Sequence, residues 1–227
     1  MGKFFVPTTG TEEWKQLLAD PEKQWRGGYS AKALACCWEE AGGFPKSVKG
    51  VFSQSDLEQF KEIKFLLGFP EYKVPLKGGQ RPSQNDIFVL AHHQGKLVTI
   101  AVEGKVAESF GPIVSRWKVP ESKGKQCRLE YLRQLLGLSG KSLDSIRYQR
   151  LHRTASALIE AERFNSSAAM MMVHSFSQEH EWFEDYQAFL NLFGKSGAPN
   201  SITHVGEKNG VELYLSWVTG EERYLKR

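Results

Sequence analysis

Two strand-forming segments separated by a short polar stretch constrain the fold of this chain more than any other feature. Residues 86–91 and 97–106 are rich in β-branched and aromatic side chains, and residues 92–96 between them are polar, so the sequence predicts a β-hairpin. Both faces of the two strands are apolar: Ile87, Val89, Val98, Ile100 and Val102 would share one face, and Phe88, Leu90 and Ala101 the other. Strands with two apolar faces are typical of a sheet covered by helices on both sides, which favours an α/β fold.

Helical periodicity, together with glycine and proline breaks, predicts the remaining elements. Helices are expected over residues 31–41, with Ser30 as the N-cap, and over residues 56–67, 126–138, 145–164 and 179–193. Further strands are expected over residues 71–76, 168–176, 202–205 and 211–218, the last two joined by a turn at Asn209-Gly210. No repeat or linker is visible, so we interpret residues 1–227 as a single domain.

Composition excludes several protein classes. The 227 residues are 41% hydrophobic and 25% charged, which suits a globular chain and excludes a disordered one. The apolar stretch in residues 1–6 is too short for a signal peptide, and no apolar run is long enough to span a membrane. Three cysteines, two of them adjacent, cannot build a disulfide framework. We therefore expect a cytoplasmic protein without a membrane partner, whose net charge of +4 permits a polyanionic ligand.

The turn of the predicted hairpin determines which residues face each other. If Gln94-Gly95 is a two-residue turn, residues whose numbers sum to 189 are opposite, which pairs Asp86 with Glu103 at about 5 Å between β-carbons. Lys105 projects to the same face as Glu103. Two carboxylates at this spacing repel each other by about 1–3 kcal/mol, whereas Mg²⁺ takes one or two carboxylates together with water and a substrate phosphate. The pair therefore predicts a magnesium site with a lysine beside it.

The Glu-x-Lys pattern alone is weak. It begins at five positions in this chain: Glu13, Glu62, Glu71, Glu103 and Glu121. Only the pattern at Glu103 ends an apolar strand with an aspartate in register opposite. The alternative interpretation is structural, in which Asp86 and Glu103 are surface acids at strand ends, neutralised by Lys105.

This arrangement resembles the PD-(D/E)XK phosphodiesterase superfamily, in which an acidic residue begins the second of three strands and Glu-x-Lys closes the third. The resemblance implies a restriction-endonuclease-like core over residues 30–176, in the order helix, three strands, helix, strand, with a helix and a β-hairpin added in residues 177–227. Asn85 stands where the family motif has proline. The same stretch also resembles an uncharacterised bacterial family with Ser-Gln-x-Asp, Val-Glu-Gly-Lys-Val and His-Arg-Thr-Ala-Ser elements, which implies no established activity.

The superfamily resemblance implies a metal-dependent phosphodiesterase, a DNA endonuclease that uses Mg²⁺ or, as a substitute, Mn²⁺. Asp86, Glu103 and the carbonyl of Gly104 would hold the metal, and Lys105 would orient or activate the attacking water. Many members carry a further acidic residue on the first helix, where Glu39 and Glu40 are the candidates and Glu39 lies nearer the buried face. The alternative is that both belong to a solvated helix end. In several branches the helix after Glu-x-Lys also reaches the site, which here nominates Gln149, His152 and Arg153. Many superfamily nucleases dimerise, so a homodimer is part of the expectation.

Other readings of the same residues stay open. Five basic residues, which are Arg81, Arg147, Arg150, His152 and Arg153, could track a phosphate backbone or simply form a solvated face. Four aromatic residues, which are Trp117, Tyr148, Trp182 and Trp217, could stack on bases or belong to the core. The chain could also be a non-catalytic nucleic-acid-binding or interaction module that retains the nuclease fold, or a hydrolase of small phosphodiesters.

Overall fold

A six-stranded mixed β-sheet forms the centre of the computed structural model, which describes residues 10–227. The strands are β1 (Lys64–Val74), β2 (Ser83–His93), β3 (Lys96–Lys105), β4 (Ala168–Ser175), β5 (Ser201–Lys208) and β6 (Val211–Thr219). Their order across the sheet is β1-β2-β3-β4-β6-β5. Strand β4 pairs in parallel with β3 and with β6, and the other neighbours are antiparallel. The predicted mixed central sheet is therefore confirmed.

Helices cover both faces of the sheet, as the two apolar faces of the hairpin predicted. The helices are α1 (Thr11–Lys15), α2 (Pro21–Gln24), α3 (Ser30–Ala41), α4 (Lys46–Gln54), α5 (Glu58–Lys61), α6 (Val114–Trp117), α7 (Lys123–Leu135), α8 (Tyr148–Phe164) and α9 (Phe183–Asn191), followed by a 3₁₀ turn at Glu222–Lys226. Trp38 of α3 packs with Ile100 in one hydrophobic cluster. Leu151 of α8 packs with Ala101 in a second cluster on the opposite face.

The central hairpin has the predicted register. Gln94 and Gly95 form the turn with φ values of 47° and 78°, the left-handed conformations that a two-residue type I′ turn requires. Ile87 pairs with Val102, and the numbers of the paired residues sum to 189 along the whole ladder. The second predicted hairpin, with Asn209 and Gly210 at its turn, also forms.

The helix predicted over residues 56–67 is wrong. Only α5 is helical there, and β1 already begins at Lys64, which pairs with His92. Backbone pairing with β2 outweighs the local helical pattern, because strand formation depends on cross-strand partners that are distant in sequence. At α3, Ser30 is the first helical residue and Tyr29 the N-cap, so the predicted cap is displaced by one position. The other predicted helices and strands form with shifted ends.

No helix within residues 10–227 is long and apolar enough to cross a membrane. All three cysteines, Cys36, Cys37 and Cys127, are free thiols, as expected for a chain that cannot build a disulfide framework. The prediction concerning a signal peptide falls on residues 1–6, which lie outside the described part of the chain.

A fully buried histidine connects the sheet with the helices α3 and α4 that pack on one of its faces. His174 of β4 accepts a hydrogen bond at Nδ1 from the indole Nε1 of Trp38 at 3.1 Å, and its Nε2 lies 3.1 Å from the hydroxyl of Ser47. Because the indole N–H can only donate, the proton of the neutral imidazole belongs on Nε2, where it faces Ser47. Burial lowers the pKa of His174 to about 3. The ring is therefore neutral in the folded protein at every physiological pH.

We expect the free energy of unfolding to fall as the pH is lowered from 7 to 5, by about 2 kcal/mol from His174 alone. In the unfolded chain this histidine binds a proton near pH 6.5, whereas the folded protein excludes that proton until about pH 3. The contribution of His174 to the free energy of unfolding is thus complete above the pKa of the unfolded chain and is lost as the pH falls below that pKa. Urea denaturation at several pH values should give a flatter pH dependence for His174→Gln than for wild type or His180→Gln. An unchanged slope in His174→Gln would refute this assignment.

Candidate active site

Three carboxylates stand level with one another across three neighbouring strands. Pro70 pairs with Ile87 and Tyr72 with Asn85, so Glu71 of β1 stands level with Asp86 of β2. The β2–β3 register in turn sets Asp86 level with Glu103. All three residues line one cavity of about 330 Å³. The predicted opposition of Asp86 and Glu103 is present, with Glu71 as an additional acid.

Glu103 is buried and accepts hydrogen bonds from three side chains. Its Oε1 accepts from Lys105 Nζ at 2.8 Å and from Gln149 Nε2 at 2.6 Å, and its Oε2 accepts from Arg153 Nε. Burial by itself would raise the pKa of Glu103, but the positive charges of Arg153 and Lys105 outweigh burial and lower the pKa to about 2. Glu103 is therefore an ionised carboxylate held between two cations.

Asp86 is less tightly held and faces the cavity. Its Oδ2 accepts a hydrogen bond from the backbone N–H of Gly104 at 2.7 Å, and its Oδ1 lies 3.9 Å from Arg153. The side chain keeps 21% of its surface exposed. Burial, and next the negative charge of Glu103, raise the pKa of Asp86 to about 7. An added cation would relieve this repulsion.

Glu71 adds a second carboxyl group with a raised pKa. Its backbone φ of 50° lies in the left-handed region, which is uncommon for a residue other than glycine. Gln84 Nε2 donates to Glu71 Oε2 at 2.7 Å. Burial, and then the charge of Asp86, raise the pKa of Glu71 to about 8. Glu71 and Asp86 therefore keep their protons to a higher pH than ordinary carboxyl groups do, whereas Glu103 is ionised.

Two helix N-termini point to the same cavity. Ser30 and Ala31 at the start of α3 and Gln149 at the start of α8 line it. The Ser30 N–H donates to Glu108 Oε1 at 2.9 Å, so a carboxylate caps α3. The partial positive charge at a helix N-terminus stabilises nearby anions by about 0.3–1 kcal/mol. The fold therefore favours carboxylates, or a bound phosphate, at this edge of the sheet.

Gly104 lies between the two central acids. Its N–H points toward β2, where it bonds Asp86, and the N–H and C=O of one strand residue point to the same side. The carbonyl oxygen of Gly104 therefore also points toward β2. A side chain at this position would press on Leu34 of α3, because a Cβ would come within 3.2 Å of its Cδ2. Glycine allows α3 to pack closely beneath the site.

Comparison with known proteins identifies a family. A family model described as a domain of unknown function, DUF6946, matches residues 7–222. The chain belongs to the DUF6946 family. No curated protein and no solved structure matches it.

The two acidic candidates on α3 of this DUF6946 member lie away from the cavity. Glu39 accepts a hydrogen bond from Trp14 Nε1 at 2.7 Å, and Glu40 forms ion pairs with Arg223 and Arg227. The N-terminus of α3 borders the cavity, where Ala31 lines it. Glu39 is eight residues further along the helix, which corresponds to about 12 Å along the helix axis. The proposed metal-ligand role of Glu39 therefore has no support from its position.

The predicted basic face on α8 does not form as a solvated surface. Arg150 is fully buried in the core, Arg153 binds Glu103, and Arg147 forms an ion pair with Asp185 at 2.8 Å. The ring of His152 lies 2.8 Å from the Ser83 hydroxyl, and burial lowers its pKa well below 6.5. Of the five basic candidates, Arg81 is exposed. The predicted reach of Gln149 and Arg153 back to the acidic cavity is present.

Sequence reasoning missed Glu71 and Glu108. Glu71 begins one of the five Glu-x-Lys patterns. The sequence predicted this strand to begin at residue 71 and not at Lys64, and it gave no register that would place Glu71 level with Asp86. Glu108 lies three residues after the end of β3 and belongs to no sequence motif. Within the described residues, no three His, Cys, Asp or Glu side chains are placed so that they could hold a metal ion together. Any metal here would depend on two carboxylates, backbone oxygen and water, which is a common arrangement for Mg²⁺.

Proposed function

We propose that this protein is a Mg²⁺-dependent phosphodiesterase that cleaves DNA, with a core of the PD-(D/E)XK type. The order of α3, β1, β2, β3, α8 and β4 along the chain supports this proposal, because it matches the helix, three strands, helix, strand order of that superfamily once the intervening helices α4 to α7 are set aside. On this interpretation α9 and the β5–β6 hairpin are C-terminal additions. The cytoplasmic location and the homodimer stay predictions from the sequence.

The observation that carries the proposal is the convergence of Asp86, Glu103 and Lys105 on one cavity. Asp86 and Glu103 lie opposite each other on β2 and β3, and Gln149 and Arg153 of α8 donate hydrogen bonds to Glu103. Five polar side chains from three elements meet where two helices begin. Such a concentration of charged groups with shifted pKa values is typical of functional sites.

The donor set fits Mg²⁺ or Mn²⁺. Asp86, Glu103 and the carbonyl of Gly104 offer the hard oxygen atoms that these ions prefer. Burial, and next the charge of Glu103, raise the pKa of Asp86, and a bound cation would stabilise its ionised form. When bound, such an ion polarises a phosphate and lowers the pKa of a water molecule. Glu71 is a further carboxyl group that lines the same cavity.

The cations beside Glu103 can act on the substrate. Lys105 Nζ has three N–H donors, of which one bonds Glu103, so the others are available to a phosphate oxygen or to the attacking water. The Arg153 guanidinium bonds Glu103 through Nε and lies 3.9 Å from Asp86 through its terminal nitrogen. Both residues would stabilise the negative charge that develops on the phosphate.

We expect the purified protein to cleave plasmid, linear or single-stranded DNA with Mg²⁺ or Mn²⁺, and Glu103→Gln to lower the rate by at least about 100-fold. The amide keeps the size of the side chain but removes the charge that binds a cation. Glu121→Gln is the matched control, because Glu121 begins another Glu-x-Lys pattern and is exposed. Gel electrophoresis of the products measures the rate. Absence of cleavage on all three substrates, or full activity of Glu103→Gln, would refute the proposal.

One observation favours a second candidate function, a nucleic-acid-binding module without catalysis. Both oxygens of Glu103 are already hydrogen-bonded, to Lys105, Gln149 and Arg153, which is also how a purely structural ion-pair cluster looks. Salt-dependent DNA binding without turnover, and no heat of Mg²⁺ binding by calorimetry, would favour this function.

A further inference from the structure

A second cavity, of about 470 Å³, adjoins the acidic one, and the two share Lys105, Gln149 and Arg153 as walls. Its charge is opposite. The acidic cavity is lined by Glu71, Asp86, Glu103 and Glu108, whereas no carboxylate of the described residues lines the second cavity. The carboxyl groups therefore all lie on one side of the wall that the two cavities share.

The cations of the second cavity are only partly compensated. Lys105 and Arg153 are paired with Glu103, but Arg81 is exposed and forms no ion pair with any described residue. The buried Arg128 donates to carbonyl oxygens of residues 76, 77 and 79 and forms no ion pair with any described residue. Backbone carbonyls fix the guanidinium in place without cancelling its charge. The cavity is thus suited to an anion.

An aromatic pair forms part of the same wall. The rings of Trp117 and Tyr148 are stacked, with centroids 3.8 Å apart and planes 11° apart. Trp117 is only partly buried, and the ammonium of the half-buried Lys125, which also donates to the carbonyls of Val119 and Pro120, lies 5.7 Å from its ring centroid. A cation–π contact at an exposed site is weaker than base stacking on an aromatic ring. A base could therefore replace Lys125 on Trp117.

An aromatic surface beside uncompensated cations matches the chemistry of a nucleotide, which combines a flat base with a phosphate. The cavity is within the range of about 300–1,000 Å³ that is typical for small-ligand pockets. Packing into the core explains the stacked rings but not the cations that surround them. A base in a duplex already stacks on both neighbours, so only an unpaired base can stack on a side chain.

We infer that the second cavity binds an unpaired nucleotide next to the phosphate at the Lys105–Arg153 boundary, so that the substrate is single-stranded DNA. This inference rests on the proposed function for the role of that phosphate. It goes beyond the proposed function because it names the strand state of the DNA and the residues that select it. Trp117 would select single-stranded DNA by stacking on the unpaired base, and Arg81 would bind the negative charge of the DNA phosphates.

The test measures binding without cleavage. Fluorescein-labelled 12-nucleotide single-stranded DNA, its duplex and deoxyadenosine monophosphate are titrated in EDTA, with fluorescence anisotropy for the two DNAs and tryptophan fluorescence for the nucleotide. We expect the single strand to bind more tightly than the duplex. Trp117→Ala should weaken single-strand binding by about 5- to 100-fold, Trp117→Phe should restore most of it, and Trp182→Ala should change little.

Arg81→Ala provides an independent variant, because an exposed side chain can be removed without affecting the fold. It should weaken binding and reduce the salt dependence of the affinity by about one phosphate contact. Equal affinity for single strand and duplex, or unchanged binding in both Trp117→Ala and Arg81→Ala, would overturn the inference. Binding of the mononucleotide as tight as that of the oligonucleotide would also overturn it, by identifying a free nucleotide as the ligand. Because EDTA removes metal, loss of cleavage in Glu103→Gln with intact binding tests the proposed function separately.

Discussion

Replacing Arg153 with methionine is expected to lower the free energy of unfolding by about 3 kcal/mol, because the change removes one partner of a buried ion pair. Glu103 would remain buried at 3% side-chain exposure with a charge that Lys105 alone must balance. Asp86 would also lose the guanidinium near its Oδ1. The value is at the lower end of the range for broken buried pairs, since Lys105 and Gln149 still bond Glu103. Urea denaturation at pH 7 measures the loss.

A double-mutant cycle separates charge from packing. If the loss comes from the uncompensated carboxylate, Arg153→Met combined with Glu103→Gln should be more stable than Arg153→Met alone, with a coupling energy of about 1–3 kcal/mol. Arg116→Met is the surface control, because Arg116 is exposed. A loss below 0.5 kcal/mol, on the order of an ordinary surface substitution, would show that Arg153 does not hold this cluster together.

Local chemistry explains why the centre of the sheet could be predicted. The Gln94-Gly95 turn needs left-handed backbone at both positions, and the two-residue loop then determines the register from Ile87 outward. The opposition of Asp86 and Glu103 follows from that turn alone. By contrast, β1 depends on pairing with β2, and its local sequence resembles a helix up to Leu67. Nothing in the local pattern of residues 56–67 reports that distant partner.

The site residues that could be predicted depend on local sequence, whereas the missed ones depend on partners that are distant in sequence. Lys105 follows from alternation along β3, since it lies two residues after Glu103. Glu71 enters the site through a left-handed backbone conformation at the level of Asp86, which depends on the register of β1. The orientation of α3 as a whole decides that its N-terminus, not Glu39, borders the cavity. Sequence spacing gives no information on how a helix is placed against a sheet.

The burial of Arg150 is the clearest departure from sequence expectation. It lies on α8 between Gln149 and Arg153, which both reach the acidic cavity, yet its side chain is 0% exposed and points into the core. None of its three guanidinium nitrogens has a hydrogen-bond partner among the described residues. Its Cζ lies 3.4 Å from the ring centroid of Phe110, 5.3 Å from Tyr186 and 5.7 Å from Trp217. Burial lowers the pKa of Arg150 to about 9.

We therefore expect Arg150→Met to raise the free energy of unfolding, by about 1–4 kcal/mol. Desolvating a cation costs several kcal/mol. A desolvated cation–π contact returns about 2 kcal/mol, and of the three rings only Phe110 lies at contact distance from the guanidinium. Methionine has a similar length, is apolar and can fill the space beside Phe110. Arg150→Lys is the control, because it keeps a buried charge and should give no gain. Urea denaturation of both variants decides the matter: a loss of stability in Arg150→Met would mean that the guanidinium is bonded to a buried anion or to ordered water within the core.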